Sequence, residues 1–361
     1  MVAWAASSAL LAGTRITLPL VATLSEIARQ AGVSVSVVSR VLTGDPTLRT
    51  RDETRHRVLQ VAKDLNYTAN YAGRALRLAR SKALALITPG VSSPLFDDLL
   101  SGATDAAEEE DYTLLIGRSD RITQGSDTLR RLAGEGRVDG FVLQRSDDVS
   151  DQALESLVAN DARFVLVTSR TPGRRGSVIL DDVSGAKLAT EHLIGLGHTR
   201  IALVGGLPSS DLGRRREHGY ALALHEAGLR RRENLVRRLG YSPEMATAAI
   251  ESLVGAVPRP TGVVVANVNG AIGALTALRR LGVDVPGDMS VVAYHDEWVA
   301  DHTWPPLTTV KMPYYEVGAQ AVRSLVAQLR GSRAEDIVVH DPPPKLVLRS
   351  STAPPPSGQS A

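Results

Sequence analysis

The sequence predicts a small all-α head followed by an α/β body of parallel sheets flanked by helices. Near the N-terminus, 23-TLSEIARQAGVSVSVVSRVLTG-44 sets two short helical patterns around one glycine. From Lys82 onward, strand-like runs alternate with helical patterns, the order that builds parallel sheets. Charge separates the same two parts. Residues 23–82 hold eleven Lys/Arg against five Asp/Glu, whereas the whole chain carries only +2. A basic head on an acidic body points to a polyanion as the partner of the head.

In the head, Leu24, Ile27, Ala28 and Ala31 share one face of a first helix. Gly32 suits a left-handed turn position, where a side chain is penalised. Ser34 can cap a second helix through its hydroxyl, and that helix buries Val38, Val41 and Leu42. Ala28 is small enough for the two helices to cross closely, so the pattern is a helix-turn-helix. The outer face of the second helix offers Val35, Ser36, Ser39 and Arg40. Arg can bond guanine bidentately, Ser can bond bases or phosphates, and Val can touch a thymine methyl. A third helix is expected over residues 51–65, with Val58, Leu59, Ala62 and Leu65 as its apolar face. Thr50 and Glu53 have capping-box spacing at its start.

In the body, ALALITP, YTLLIGRS, VDGFVLQ, RFVLVTS, SVILDD, RIALVGG, GVVVAN and SVVAYHD read as strands. Helical patterns near 95–110, 128–132, 186–196 and 216–227 lie among them. Sheets of this kind bind ligands beyond the carboxyl ends of their strands. GLGHTR lacks both GxGxxG and GxxxxGK[ST] spacing, so it reads as a helix end at Gly197 before a strand.

Other segments exclude more than they assign. Residues 1–22 are apolar, but no cation precedes the run and Arg15 interrupts it short of a membrane span. A disordered or wrongly assigned extension is expected there, with the functional start near Val21. The chain has no cysteine, which excludes disulfides and thiolate chemistry, and its eight histidines are dispersed. GxSxG, HExxH and Walker motifs are absent, so neither a catalytic site, a metal site nor a cofactor is expected.

AGVSVSVVSRVL, ETRHRV, the LNY linker and the body together resemble the lac-repressor (LacI) family, from about Thr23 to Thr352. Further signatures are 94-PLF-96, 185-GAKLATEHLIGLGHTRIALVGG-206, 216-REHGY-220, 266-AN-267 and 303-TWPPLTTVKMP-313. The resemblance implies a two-lobed, periplasmic-binding-protein-like body, with three chain crossings expected near Asp181, Val310 and residue 340. The implied boundaries are an extension at 1–22, a helix-turn-helix domain at 23–66 and a hinge at 67–82. The effector-binding and dimerisation body follows at 83–345, and a tail at 346–361. STAPPPSGQSA at its end has no apolar heptad and is expected to be disordered.

The resemblance also implies roles for residues. The second helix enters the major groove and the linker forms a hinge helix on DNA. Leu76 wedges into the minor groove, with Arg77 on the backbone nearby. Ala69 stands where the family usually has Pro, and Asn70 is left to cap the hinge. With Thr23, Leu24 and Ser34 these complete the expected DNA-binding set. Around the ligand, Phe96 aligns with a stacking aromatic or else is a core phenylalanine, Arg216 aligns with the gripping Arg and Asn267 with a polar contact, and Trp304 walls the cleft or packs between the lobes. Thr168, Val268 and His295 stand at positions that often carry Asp in sugar-responsive members, while Asp296 remains beside His295. Each lost carboxylate removes an acceptor for paired hydroxyls. His295 could instead donate to an anion, and would titrate near neutral pH unless its surroundings shift it.

The expected protein is a cytoplasmic, ligand-responsive repressor. It acts as a homodimer on a double-stranded, pseudo-palindromic operator. Its effector is carbohydrate-like or anionic, and no membrane is involved. A periplasmic-type binding protein without DNA function is the rival reading. Leu76→Ala is expected to weaken binding to the specific site far more than to random duplex; equal losses in a filter-binding comparison would remove the wedge.

Overall fold

The computed structural model describes residues 22–67, 80–89, 95–118, 134–145, 163–170 and 176–356. Asn70, Leu76 and Arg77, Ala69, the 128–132 helix and residues 1–21 lie outside them. The chain divides into two units, Met1–Leu78 and Ala79–Ala361.

The head has three helices: α1 (Leu24–Ala31), α2 (Val35–Leu42) and α3 (Asp52–Asp64). Thr23 caps α1 by accepting from the Glu26 amide at 3.2 Å, and Ser34 caps α2 by accepting from Val37 at 3.3 Å. Gly32 ends α1 at φ +66°, the left-handed conformation that glycine adopts without penalty. Ile27, Ala28, Ala31, Val38, Val41, Val58 and Ala62 form the core, with Leu24, Leu42 and Leu65 packed partly against it. Two expectations fail in α3. The helix begins at Asp52 with Arg51 at its cap and no side-chain cap bond, so Thr50 builds no capping box. Leu59 is exposed. The buried stripe runs through positions 58, 61, 62 and 65, and residue 59 lies about 100° around the helix from 58.

The body holds two six-stranded sheets. The first runs in the order β11-β5-β4-β3-β1-β2. Its strands are β1 (Ala83–Thr88), β2 (Thr113–Arg118), β3 (Gly140–Gln144), β4 (Arg163–Val167), β5 (Ser177–Leu180) and β11 (Asp336–Val339). The second runs β12-β10-β9-β8-β6-β7. It comprises β6 (Ile201–Gly205), β7 (Val236–Arg238), β8 (Gly262–Val265), β9 (Ser290–Tyr294), β10 (Thr308–Lys311) and β12 (Lys345–Val347). All pairings are parallel except β10 with β12.

Helices α4 (Leu95–Glu109) and α9 (Tyr314–Leu329) belong to the first lobe; α5 (Asp182–Gly195), α6 (Asp211–Glu226), α7 (Pro243–Val254) and α8 (Val268–Arg280) belong to the second. Helix α6 starts five residues before the sequence pattern suggests, because Ser210 caps it by accepting from the Gly213 amide. Gly102 on α4 and Gly318 on α9 sit where a Cβ would overlap the facing backbone carbonyls of Tyr315 and Leu99, so these helices meet backbone to backbone.

The chain passes between lobes three times. It leaves β5 for α5 at Asp181, leaves β10 for α9 at Met312–Pro313, and leaves β11 for β12 across 340–344. These are the places the resemblance implied.

The expected disorder of STAPPPSGQSA is corrected over residues 351–356. The Ser351 hydroxyl is fully buried, donating to the Val291 carbonyl at 2.6 Å and accepting from the Thr308 amide at 2.8 Å. His198, inside GLGHTR, secures the next turn: its Nε2 lies 2.9 Å from the Ala353 carbonyl and its Nδ1 2.9 Å from Thr261 Oγ1. A carbonyl only accepts, so Nε2 carries the proton. Polar side chains buried beneath the segment need these partners, which is why a Ser/Thr/Pro-rich sequence is ordered here.

Burial holds His198 and His192 below the usual histidine pKa of 6.5. Their neutral forms support the fold above that value. As pH falls through it the unfolded chain takes up protons that the folded chain resists, and stability drops. A lower melting temperature at pH 5.5 than at pH 8, with a smaller difference in His198→Gln, is the expected result of thermal denaturation.

Candidate ligand cleft and nucleic-acid interface

The carboxyl ends of β4 and β5 in one lobe and of β6, β8 and β9 in the other converge on a buried carboxylate. Asp182, at the start of α5, is fully buried. Its Oδ1 accepts from Arg216 Nε at 3.0 Å, and its Oδ2 from Arg215 Nη2 at 2.9 Å. Both arginines stand on α6. Arg216 also donates to the Ala266 carbonyl, its Nη2 lies 3.0 Å from His295 Nε2, and its guanidinium sits 4.1 Å over the Tyr294 ring. Burial opposes the charge of Arg216, but Asp182 and the surrounding tyrosines override it and raise its pKa.

Arg215 reaches across the cleft to the Thr168 carbonyl at 3.0 Å, and its Nη1 donates to Asp211. Asp211 in turn accepts the Arg170 amide of the opposite lobe at 3.2 Å. The two lobes are thus joined beside the first crossing by polar contacts that end on charged groups.

Thr168 and His295 follow β4 and β9, and both are buried in left-handed conformations, at φ +63° and +73°. Neither is glycine, so each carries backbone strain of about 1–3 kcal/mol, a cost characteristic of functional positions. Tyr314 Oη lies 3.3 Å from His295 Nε2. Burial, then the Arg216 charge, holds His295 well below the usual pKa, so its surroundings do shift it from neutral titration. At the rim, burial and then the charges of Asp98 and Asp97 on α4 raise Glu297 to about 7.

Of the expected ligand set, the structure gathers Thr168, Arg216 and His295. Phe96 is only 6 % exposed and belongs to the hydrophobic core. Asn267 caps α8, accepting from Gly270 at 2.6 Å and donating to the Tyr241 carbonyl at 2.9 Å. Asp296 turns away, accepting from Thr309 at 2.6 Å and Arg349 at 2.7 Å. Trp304 is 83 % exposed and packs between no lobes. Asp182, Arg215, Asp211 and Tyr314 were missed. The doubled Asp181–Asp182 at a strand end and the doubled Arg215–Arg216 were the available signals.

On the head, Val35 and Ser36 are exposed at the start of α2, and Ser39 is half-buried one turn on. Arg40 is held back: its Nε donates to Asp45 at 2.8 Å and its Nη2 to Thr47 at 2.9 Å. Bonds from Thr47, then Arg40, pull the Asp45 pKa down to about 2. Among the residues expected to read bases, Val35 and Ser36 are presented freely and Arg40 is not.

The family model described as bacterial regulatory proteins, lacI family, matches residues 23–70, and a periplasmic binding protein-like domain matches 190–352. The HTH-type transcriptional regulator DegA of Bacillus subtilis (strain 168) is 32% identical over 337 residues, covering 92% of this chain and 98% of DegA. The chain belongs to the LacI family.

A LacI-family transcriptional regulator from Mycobacterium smegmatis has a similar solved structure, with 42% identity and a TM-score of 0.71 over 75% of this chain and 99% of that one. The regulator CelR, solved with cellobiose, has 28% identity and a TM-score of 0.66 over 91% and 99%. As a LacI-family member the protein is a sequence-specific DNA-binding transcriptional regulator with a ligand-binding body. Asp182→Asn would leave Arg216 buried without its counter-charge. Chemical denaturation of the variant is expected to register a loss of about 3–5 kcal/mol.

Proposed function

We propose that this regulator is a cytoplasmic repressor, not an enzyme, that binds a pseudo-palindromic operator as a homodimer and answers to a small carbohydrate-like effector. The observation that carries this reading is the pair of polar contacts across the cleft, Arg215 to Thr168 and Arg170 to Asp211, beside the first crossing. A ligand that strengthens or replaces them changes the lobe arrangement by its differential affinity for the two states. The coupling is reciprocal, so an effector that lowers operator affinity is itself bound less tightly by the DNA complex.

Similarity to a regulator solved with cellobiose supports a carbohydrate-like ligand. The anionic alternative rests on His295 as a donor, and burial beside Arg216, whose charge Asp182 already matches, keeps that ring uncharged. No described helix is long and apolar enough to cross a membrane.

In the DNA complex, Val35, Ser36 and Ser39 contact base edges, while Arg40 braces the turn after α2 unless DNA draws it from Asp45. Purified full-length protein, titrated with duplex from around its own gene across a salt series, tests the assignment. The expected result is a protected palindrome, with tight binding that outlasts the salt at which random duplex is released. Loss of all binding at that same salt would refute the operator assignment and leave a small-molecule receptor.

A further inference from the structure

The hydrogen bonds around His295 determine which of its nitrogens carries the proton. A guanidinium can only donate, so the 3.0 Å contact from Arg216 Nη2 makes His295 Nε2 an acceptor. Tyr314 Oη approaches the same nitrogen at 3.3 Å. The proton of the neutral ring therefore sits on Nδ1. That atom is buried and bonds to no protein group. The rings of Tyr294 and Tyr314 stand edge-on, with centroids at 5.4 and 4.7 Å. Turning the imidazole over would set Cε1 against the Arg216 guanidinium, so the hydrogen bond selects the orientation.

A second orphan lies in the opposite lobe. Ser169 follows Thr168 at the end of β4, and its Oγ is buried without a partner. A buried donor left unmet is costly, so such a group is ordinarily met by ordered water or by a ligand. Charge decides the kind of ligand. Asp182 and Asp211 match Arg215 and Arg216, while the rim carries Asp97, Asp98 and Glu297. Both arginines beside His295 are thus paired with carboxylates, which disfavours an anion at this point of the cleft.

We propose that His295 Nδ1–H is the specificity-determining donor of the cleft, selecting a neutral effector that presents an acceptor oxygen, a carbonyl above all. This rests on the cleft being the effector site. Arg216 is then a positioning residue: it orients the imidazole and fixes its tautomer rather than gripping the ligand. An aspartate in place of His295 would invert the requirement, accepting from a hydroxyl instead of donating to a carbonyl.

Two measurements on the full chain test this. Long-range 1H–15N spectra of histidine-labelled protein at pH 7, with the His295 signal assigned by its loss in His295→Gln, should give a protonated Nδ1 and an unprotonated Nε2. Calorimetry should then compare D-ribose, D-ribono-1,4-lactone and 1-amino-1-deoxy-D-ribitol. The lactone replaces the anomeric hydroxyl with a carbonyl, and is expected to bind about tenfold tighter than ribose and to shift the Nδ1–H resonance. The amine should bind weakest, and His295→Asp should reverse the order of lactone and ribose. A proton on Nε2, an imidazolium at pH 7, a lactone no tighter than ribose, or no Nδ1–H shift with any probe overturns the proposal. If His295→Asp does not fold, the wild-type tautomer and probe order still decide. Operator binding by the same preparation tests the regulator assignment separately.

Discussion

A carboxylate with no solvent exposure, Asp182, is the group on which the cleft depends. Removing such a charge from water costs several kcal/mol, and only well-placed partners offset it. Asp182 has them: Arg215 and Arg216 take one oxygen each, and its position at the start of α5 adds the favourable end of a helix dipole. The Tyr294 hydroxyl donates to its backbone carbonyl at 2.6 Å. One residue beside a lobe crossing thereby ties α5, α6 and β9 together. Arg216 passes the constraint on to His295, and Arg215 passes it across the cleft to Thr168.

The strain at Thr168 and His295 follows from this arrangement. Each ends a parallel strand and must turn sharply, and a buried hydrogen-bonded neighbourhood holds each in a conformation L-residues avoid. A polar cleft built this way is preorganised, with most of its donors and acceptors engaged before a ligand arrives. Among the described residues, His295 Nδ1 and Ser169 Oγ are the cleft groups left without a partner.

The head follows a different logic. Its stability comes from local devices, the Thr23 and Ser34 caps, the left-handed Gly32 and a compact core of small and β-branched residues. Arg57 adds one longer tie, donating to the Ala31 carbonyl at 2.9 Å from α3. The Asp45–Arg40–Thr47 cluster stiffens the turn after α2. It also removes the most informative base-reading side chain from the free surface of that helix.

What could be read from the sequence alone was local or repetitive: the Ser34 cap, the glycine turn and the strand–helix alternation. Each depends on neighbours within a few positions, where side-chain chemistry and helical or strand period act directly. The tertiary structure decided the fate of polar and aromatic residues, whose partners are remote. Asp182 meets Arg216 across 34 positions and Arg216 meets His295 across 79, distances at which no sequence period operates. For the same reason Asp296 became an anchor for Arg349, Phe96 a core residue and Trp304 a surface one, whereas the Asn267 cap, made to Gly270 three positions on, was a local signal that sequence reasoning passed over. The C-terminal segment is ordered because Ser290, Thr308 and His198 already wait beneath it. A disordered-looking composition becomes structure when buried partners satisfy its backbone.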